Sequence, residues 1–399
     1  MAVPLRDNSL KLFILSCSVF VVGGISNSAI GVVWIYVQAD FNVTLSALGA
    51  LVTAATLGRI LTSSSSGPLI NRFGIATIMI AGLSLTAASL IGFALASSWP
   101  AVMLVAFCSG VGSGIMATGL NTFAAVNFSA RQMNCLHGSF GIGSTIGPLL
   151  ITTIVIDLGL DWRWAYVVFT LIRLVMLLMF WLTRREWGIG EAKGNAAASG
   201  HANMCATLRL PLIWLMIGAF MMAVGTELVA GQFANSFLIE ARSIDAKVAG
   251  AWVSAYWASL TLSRFVAGFF LGRISNSMFL RLNSIGLMLG AGLLWLNLGP
   301  LSSLCGLALI GFCIAPFAPL MTSDTPGRVG QVHTANAIGL QFTGASIGMA
   351  FLPWLAGVLA EQIGLEFIPQ FVFLVALLTF FLHEMILWRE IRHPLARLS

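Results

Sequence analysis

The chain is 399 residues long, 58% hydrophobic and only 9% charged, with a formal net charge of +6, against roughly 25% charged residues in an average soluble domain. That composition excludes a soluble single-core protein, because apolar stretches of about twenty residues, each able to cross a hydrocarbon layer of about 30 Å, recur from end to end. The basic excess falls in the loops between them and calls for no nucleic-acid partner.

Twelve membrane spans are expected, near residues 10–36, 46–66, 75–97, 100–127, 135–156, 164–183, 211–237, 248–271, 279–298, 301–322, 336–359 and 367–388. The first lacks a small-residue cleavage site and reads as a retained helix, not a signal peptide. Lys and Arg collect in cytoplasmic loops. With the amino terminus inside, those loops hold fourteen of them, from Arg6 to Arg397, against Arg163, Arg242 and Lys247 on the opposite face. Both termini are therefore expected in the cytoplasm.

The six cysteines form no C-x-x-C pair, so no disulfide, metal site or cofactor is expected. Residues 184–210 are polar and rich in Gly, Ala and Ser, the composition of a flexible linker. They divide an N-terminal six-helix bundle, 1–183, from a C-terminal one, 211–399. One offset of 201 residues relates the halves: Gly24 to Gly225, Gly67 and Arg72 to Gly268 and Arg273, Gly110 to Gly311, Gly143 and Gly147 to Gly344 and Gly348. The expected architecture is all-α, twelve transmembrane helices in two pseudo-symmetric six-helix bundles. Repeats of this kind place a solute site near the membrane midplane and alternate its access.

Polar residues inside such spans cost free energy and face a cavity or a partner. In chain order the candidates for solute contact are Asn27 and Trp34 in span 1, Arg59 in span 2, Asn121 in span 4 and His137 in span 5. Glu227, Gln232 and Asn235 follow in span 7 with Phe233, then Tyr256, Trp257 and Arg264 in span 8 and Gln341 in span 11. Glu227 is the one carboxylate embedded well away from a helix end. It is suited to carry a coupling proton, to hydrogen-bond solute hydroxyls, or to form a structural ion pair with Arg59 or Arg264. Those two arginines lie at similar depth in repeat-related spans, where two guanidiniums could also clamp an anion. Arg173 in span 6 is assigned a contact with a neighbouring helix. His383 and Glu384 are expected to reach the cytoplasmic interface.

The stretch "GPLINRFG" after span 2 resembles the signature between helices 2 and 3 of the major facilitator superfamily. Gly67, Leu69, Arg72 and Gly74 match it, and Asn71 replaces the usual aspartate. The resemblance implies a major facilitator fold, with Gly67, Asn71, Arg72, Gly74, Gly268 and Arg273 forming gating turns and not touching solute. "GVGSGIMATGLNTFAAV" and "MNCLHGSFGIGSTIGP" resemble the branch that contains fucose permease and related sugar transporters. His137 then matches a sugar-contacting glutamine. Gly31 and Ala117 stand where that permease carries acidic residues, and Phe140 replaces an asparagine. Span 8 also resembles the nitrate-transporter branch, and Gly143, Gly147 and Pro148 partly resemble a drug-antiporter signature.

No metal spacing, nucleophile elbow or phosphate loop is present, so an enzyme is not expected. The reading is a secondary active transporter, monomeric and embedded in the plasma membrane (the inner membrane of a bacterium), for a small polar, sugar-like solute coupled to protons. The alternatives are a small organic anion held by Arg59 and Arg264, and drug or metabolite efflux.

Overall fold

The computed structural model describes residues 7–63, 72–128, 130–187, 203–270 and 273–392. Gly67 and Asn71 lie outside them. The described residues form helices joined by short connections: α1 Asp7–Phe41, α2 Ser46–Ser63, α3 Ile75–Leu95, α4 Trp99–Asn127, α5 Ala130–Thr152 and α6 Arg163–Thr183. A short α7, Met204–Leu208, leads to α8 Pro211–Ser236, α9 Ala246–Phe270, α10 Asn276–Leu296, α11 Pro300–Ile314, α12 Phe317–Val329, α13 Gln331–Ile363 and α14 Phe367–Arg392. Single π-helical turns, Thr153–Asp157 and Phe237–Ala241, extend α5 and α8.

The 201-residue repeat is visible in the boundaries themselves. Ile75–Leu95 and Asn276–Leu296 begin and end 201 residues apart. Trp99 and Pro300, which open α4 and α11, are separated by the same shift. Span 10, expected as one helix, is two. Pro316 lacks an N–H and its ring crowds the preceding turn, so the helix stops at Ile314 and restarts at Phe317.

Among the described residues ten helical runs are long and apolar enough to cross a membrane, with α11 and α12 counting as one. The two expected spans outside that set are α2 and α9, which are repeat mates. Each carries an arginine well inside it, Arg59 and Arg264.

One compact unit comprises Met1–Lys193 with Ala246–Ser254, the first turns of α9. There α1 packs on α5, α2 on α4, and α3 on α4 and α6. Its core joins Leu15 and Val19 of α1, Met79 and Leu83 of α3, Met116 and Leu120 of α4 and Phe180 of α6. Trp187 closes it, stacked on Phe180 at 4.5 Å with its indole N–H donating to Thr183 Oγ1 at 2.9 Å. Lys247 reaches Asp157 at 2.5 Å, and Gly250 leaves room for Thr152. The other unit is Gly194–Asp245 with Ala255–Ser399. In it α8 packs on α13 and α14, α10 on α11 and α14, and α12 on α13. Leu182, Leu289 and Phe381 are exposed, as expected where the solvent is hydrocarbon.

The repeat-related glycines dock at different heights. On α5, Gly143 and Gly147 lie against the carbonyls of Val21 and Ile25. On α13, Gly344 and Gly348 lie against those of Ile217 and Met221, five residues short of the repeat mates Met222 and Thr226. That slip is about 7.5 Å along the helix axis. A Cβ at any of these glycines would collide with backbone.

Gly74, the N-cap of α3, needs its φ of +79° and has no side chain to cap the helix. Its mate Ser275 starts α10 with φ −66° and accepts from Met278 N at 3.2 Å. Arg72 and Arg273 are exposed beside these turns, with Arg72 over the Phe73 ring at 5.2 Å. Gly268 lies within α9.

Candidate solute and proton site

In the C-terminal unit, α8 and α9 bring four of the sequence candidates together. Glu227 on α8 and Arg264 on α9 form an ion pair at 3.9 Å (Oε1 to Nη2), with side chains 19% and 29% exposed. The distance exceeds a charge-assisted hydrogen bond, which closes to about 2.7–2.9 Å. Two charges sharing one low-dielectric region attract across such a gap without being locked. Arg264 Nε is buried and has no hydrogen-bond partner among the described residues.

Tyr256, fully buried, donates its hydroxyl to the backbone carbonyl of Glu227 at 2.7 Å. Its ring meets the Trp257 ring edge-on at 5.2 Å. Both rings are buried in helix packing, at 0% and 1% exposure, where Gly231 one turn after Glu227 offers no Cβ to push them out. Trp257 Nε1 is buried there without a hydrogen-bond partner among the described residues. Gln232, Phe233 and Asn235 are also buried on α8.

Gln341 is fully buried on α13, and its Oε1 accepts from Thr325 Oγ1 on α12 at 3.1 Å. The sequence reading missed Thr325. A threonine bonded to Met321 O of its own helix as well looks like ordinary helix packing until its partner is seen.

In the N-terminal unit the candidates are more dispersed. Arg59 is half-buried on α2, where Thr62 Oγ1 lies 3.1 Å from Arg59 O and 3.2 Å from Val111 O of α4. Asn121 on α4 holds a buried Oδ1 without a hydrogen-bond partner among the described residues. His137 on α5 is exposed and edge-on to Phe20 of α1 at 5.3 Å. Asn27 is half-buried on α1. Trp34 is fully buried, edge-on to Trp99 at 6.0 Å. Arg173 is buried on α6 at 5% exposure, its Nε without a hydrogen-bond partner among the described residues, on a helix packed against α3 and α1.

His383 is 0% exposed, with Nδ1 3.6 Å from Glu384 Oε1. Helix periodicity turns it inward, and the neighbouring Glu384 points to Arg281 of α10 in a two-pronged pair at 2.6 and 2.7 Å. Near it, Arg328 of α12 bonds Asp324 at 3.1 Å, and Asn276 of α10 donates to the other Asp324 oxygen at 2.6 Å. A polar cleft of about 390 Å³ lies between Ser275, Asn276, Asp324, Arg328 and Glu390. Its charges tie α10, α12 and α14 together.

Two six-helix repeats of apolar helices, with an ion pair and unpartnered polar atoms buried inside the helices, define a polytopic membrane protein built to carry solutes. The family model of the Major Facilitator Superfamily matches residues 15–343, and the chain belongs to that family. It is 26% identical over 420 residues to Bypass of stop codon protein 6 of Saccharomyces cerevisiae, covering 93% of this chain and 81% of that one. It is 26% identical over 290 residues to the glucose/mannose transporter GlcP of Bacillus subtilis, covering 70% and 69%. Its fold is similar to a point mutant of the nucleoside transporter NupG, with a TM-score of 0.78 and 16% identity over 96% of this chain and 99% of the other. It is also similar to FucP in the outward conformation, with a TM-score of 0.62 and 18% identity over 95% and 99%. The chain is a transporter of this superfamily and not an enzyme.

Proposed function

We propose that this protein moves a small polar, sugar-like solute across the plasma membrane by alternating access, coupled to protons through Glu227. The observation that carries this reading is the Glu227–Arg264 pair, held at 3.9 Å inside the span region, with Arg264 Nε and, on the same helix, Trp257 Nε1 buried and without hydrogen-bond partners among the described residues. A carboxylate that is neither exposed nor locked can exchange its arginine for a proton. Buried N–H donors without acceptors suit a solute rich in hydroxyl oxygens. The likeness to a glucose/mannose transporter supports the solute class. In the N-terminal unit Asn121 and His137 are separate candidates for solute contact, the amide oxygen of Asn121 being buried without a hydrogen-bond partner among the described residues. Both termini lie in the cytoplasm, on the charge asymmetry of the loops, and the working unit is a monomer.

A second reading, a small organic anion, is favoured by Arg264 alone, whose free Nε would complete a two-pronged contact with a carboxylate. One experiment separates them. The purified protein is melted in the presence of D-glucose, uridine or 4-hydroxybenzoate, since a ligand of the folded state raises the melting temperature by mass action. Uptake of the stabilising compound is then followed in vesicles under a pH gradient. Stabilisation by a neutral polyol and pH-driven uptake support the first reading. Stabilisation by the carboxylate alone supports the second.

A further inference from the structure

The geometry points to Tyr256 as a positioning residue that sets the separation of Glu227 and Arg264, with Gly231 as the residue that admits it. This rests on the reading of Glu227 as the proton-carrying group. The carbonyl of Glu227 occupies the place in α8 where it meets the N–H of Gly231 one turn on, and a carbonyl oxygen has a second lone pair to give. Tyr256 takes it, at 2.7 Å. The bond therefore pins α9 to α8 at the turn that bears Glu227.

Arg264 follows Tyr256 on the same helix by eight residues, about two turns, so the two stand on one face. Fixing Tyr256 against Glu227 O fixes how far down α8 the guanidinium reaches. The result is the 3.9 Å gap, too long for a hydrogen bond and short enough for attraction. Gly231 completes the device. A Cβ there would lie 2.6 Å from Trp257 Cζ2 and 3.0 Å from Tyr256 Cε1, so any other residue displaces the rings from which the hydroxyl is aimed. Arg264 pairs with the Glu227 carboxylate and the Tyr256 hydroxyl bonds its backbone carbonyl. Among the described residues, no ion pair joins Glu227 to α11, α12, α13 or α14.

The test uses no solute. Dicyclohexylcarbodiimide modifies buried carboxyl groups in their protonated form, and peptide mass spectrometry locates the product at Glu227. The full-length protein in phosphatidylcholine vesicles is labelled across pH for the wild type, Tyr256→Phe, Gly231→Ala and Thr261→Val. The last removes a hydroxyl that bonds Trp257 O within α9, a structural loss of similar size.

Tyr256→Phe is expected to move the labelling midpoint by about one pH unit, the response to a changed charge separation, while its melting temperature stays within about 3 °C of wild type. Gly231→Ala moves the midpoint too, and Thr261→Val leaves it in place. Midpoints of Tyr256→Phe and Gly231→Ala that superimpose on wild type overturn the positioning role with Glu227 still labelled. If wild-type Glu227 is not labelled at any pH, the proton-carrier reading itself falls and the positioning role with it.

Discussion

Glu227 and Arg264 stand 3.9 Å apart, whereas Arg281 and Glu384 in the same unit close to 2.6 Å. The two pairs use the same chemistry for different ends. Arg281 reaches Glu384 with two parallel donors, and both side chains are 30% exposed or more. The pair ties α10 to α14 where water competes. The Glu227 pair is more buried and looser, and a loose buried pair is the one that a proton or solute can rearrange.

Breaking the tighter pair is expected to be mild. Arg281→Ala should lower stability by about 0.5–1 kcal/mol, since exposed ion pairs are screened by solvent and salt. Thermal melts in detergent at low and high salt check it. A difference between variant and wild type that shrinks at high salt is the expected result.

The glycine contacts predict a sharper contrast. Gly143→Ala puts a methyl into the Val21 carbonyl and Gly348→Ala into that of Met221. Each is expected to cost about 1–3 kcal/mol, as overpacking does, and to reduce the yield of folded protein. Gly292→Ala, in α10 with nothing within 4 Å of the new methyl, is the control. It should be neutral or stabilising by up to about 1 kcal/mol, because alanine is the better helix former. Size-exclusion profiles and melting temperatures compare the three.

Thr325→Val leaves the buried Oε1 of Gln341 without its donor. An unsatisfied buried acceptor costs about 1–3 kcal/mol, so the melting temperature should fall by several degrees. If Gln341 serves only as the partner of Thr325, Gln341→Leu combined with Thr325→Val recovers part of the loss. If Gln341 also binds solute, the double variant recovers stability and still transports poorly.

Arg264→Lys keeps the charge and removes Nε with the planar fork. Because that nitrogen has no hydrogen-bond partner among the described residues, fold stability is expected to change little. The half-saturating solute concentration should rise about tenfold, the effect of one lost hydrogen bond of about 1.4 kcal/mol. Titrated uptake in vesicles reads it.

The helices were legible in sequence because a hydrocarbon solvent demands long apolar runs, and the repeat because one shift relates glycines at several close contacts. Glu227 and Arg264 stood out for a related reason: a charge in a span has to be explained. Their mutual distance was not legible, since it depends on a tyrosine hydroxyl finding a backbone carbonyl, and every residue has one. That Tyr256 and Trp257 pack into the space left by Gly231 was not legible either, since an aromatic ring in a span serves solute contact and helix packing equally well. The break at Ala315 and Pro316 was visible as a proline, but a proline in a membrane helix either kinks or stops it, and neighbouring packing decides which. That His383 is buried while Glu384 beside it reaches Arg281 was not legible, because one residue's shift around a helix separates a buried position from a half-exposed one.

The most direct test of the account is Glu227→Gln in vesicles, with the radiolabelled compound that best stabilises the protein among glucose, uridine and 4-hydroxybenzoate. The amide keeps the shape of the side chain and cannot carry the proton. Accumulation driven by a pH gradient should be lost, while exchange of labelled for unlabelled solute at equal concentrations continues. Accumulation at the wild-type level in the variant would contradict the assignment of coupling to Glu227.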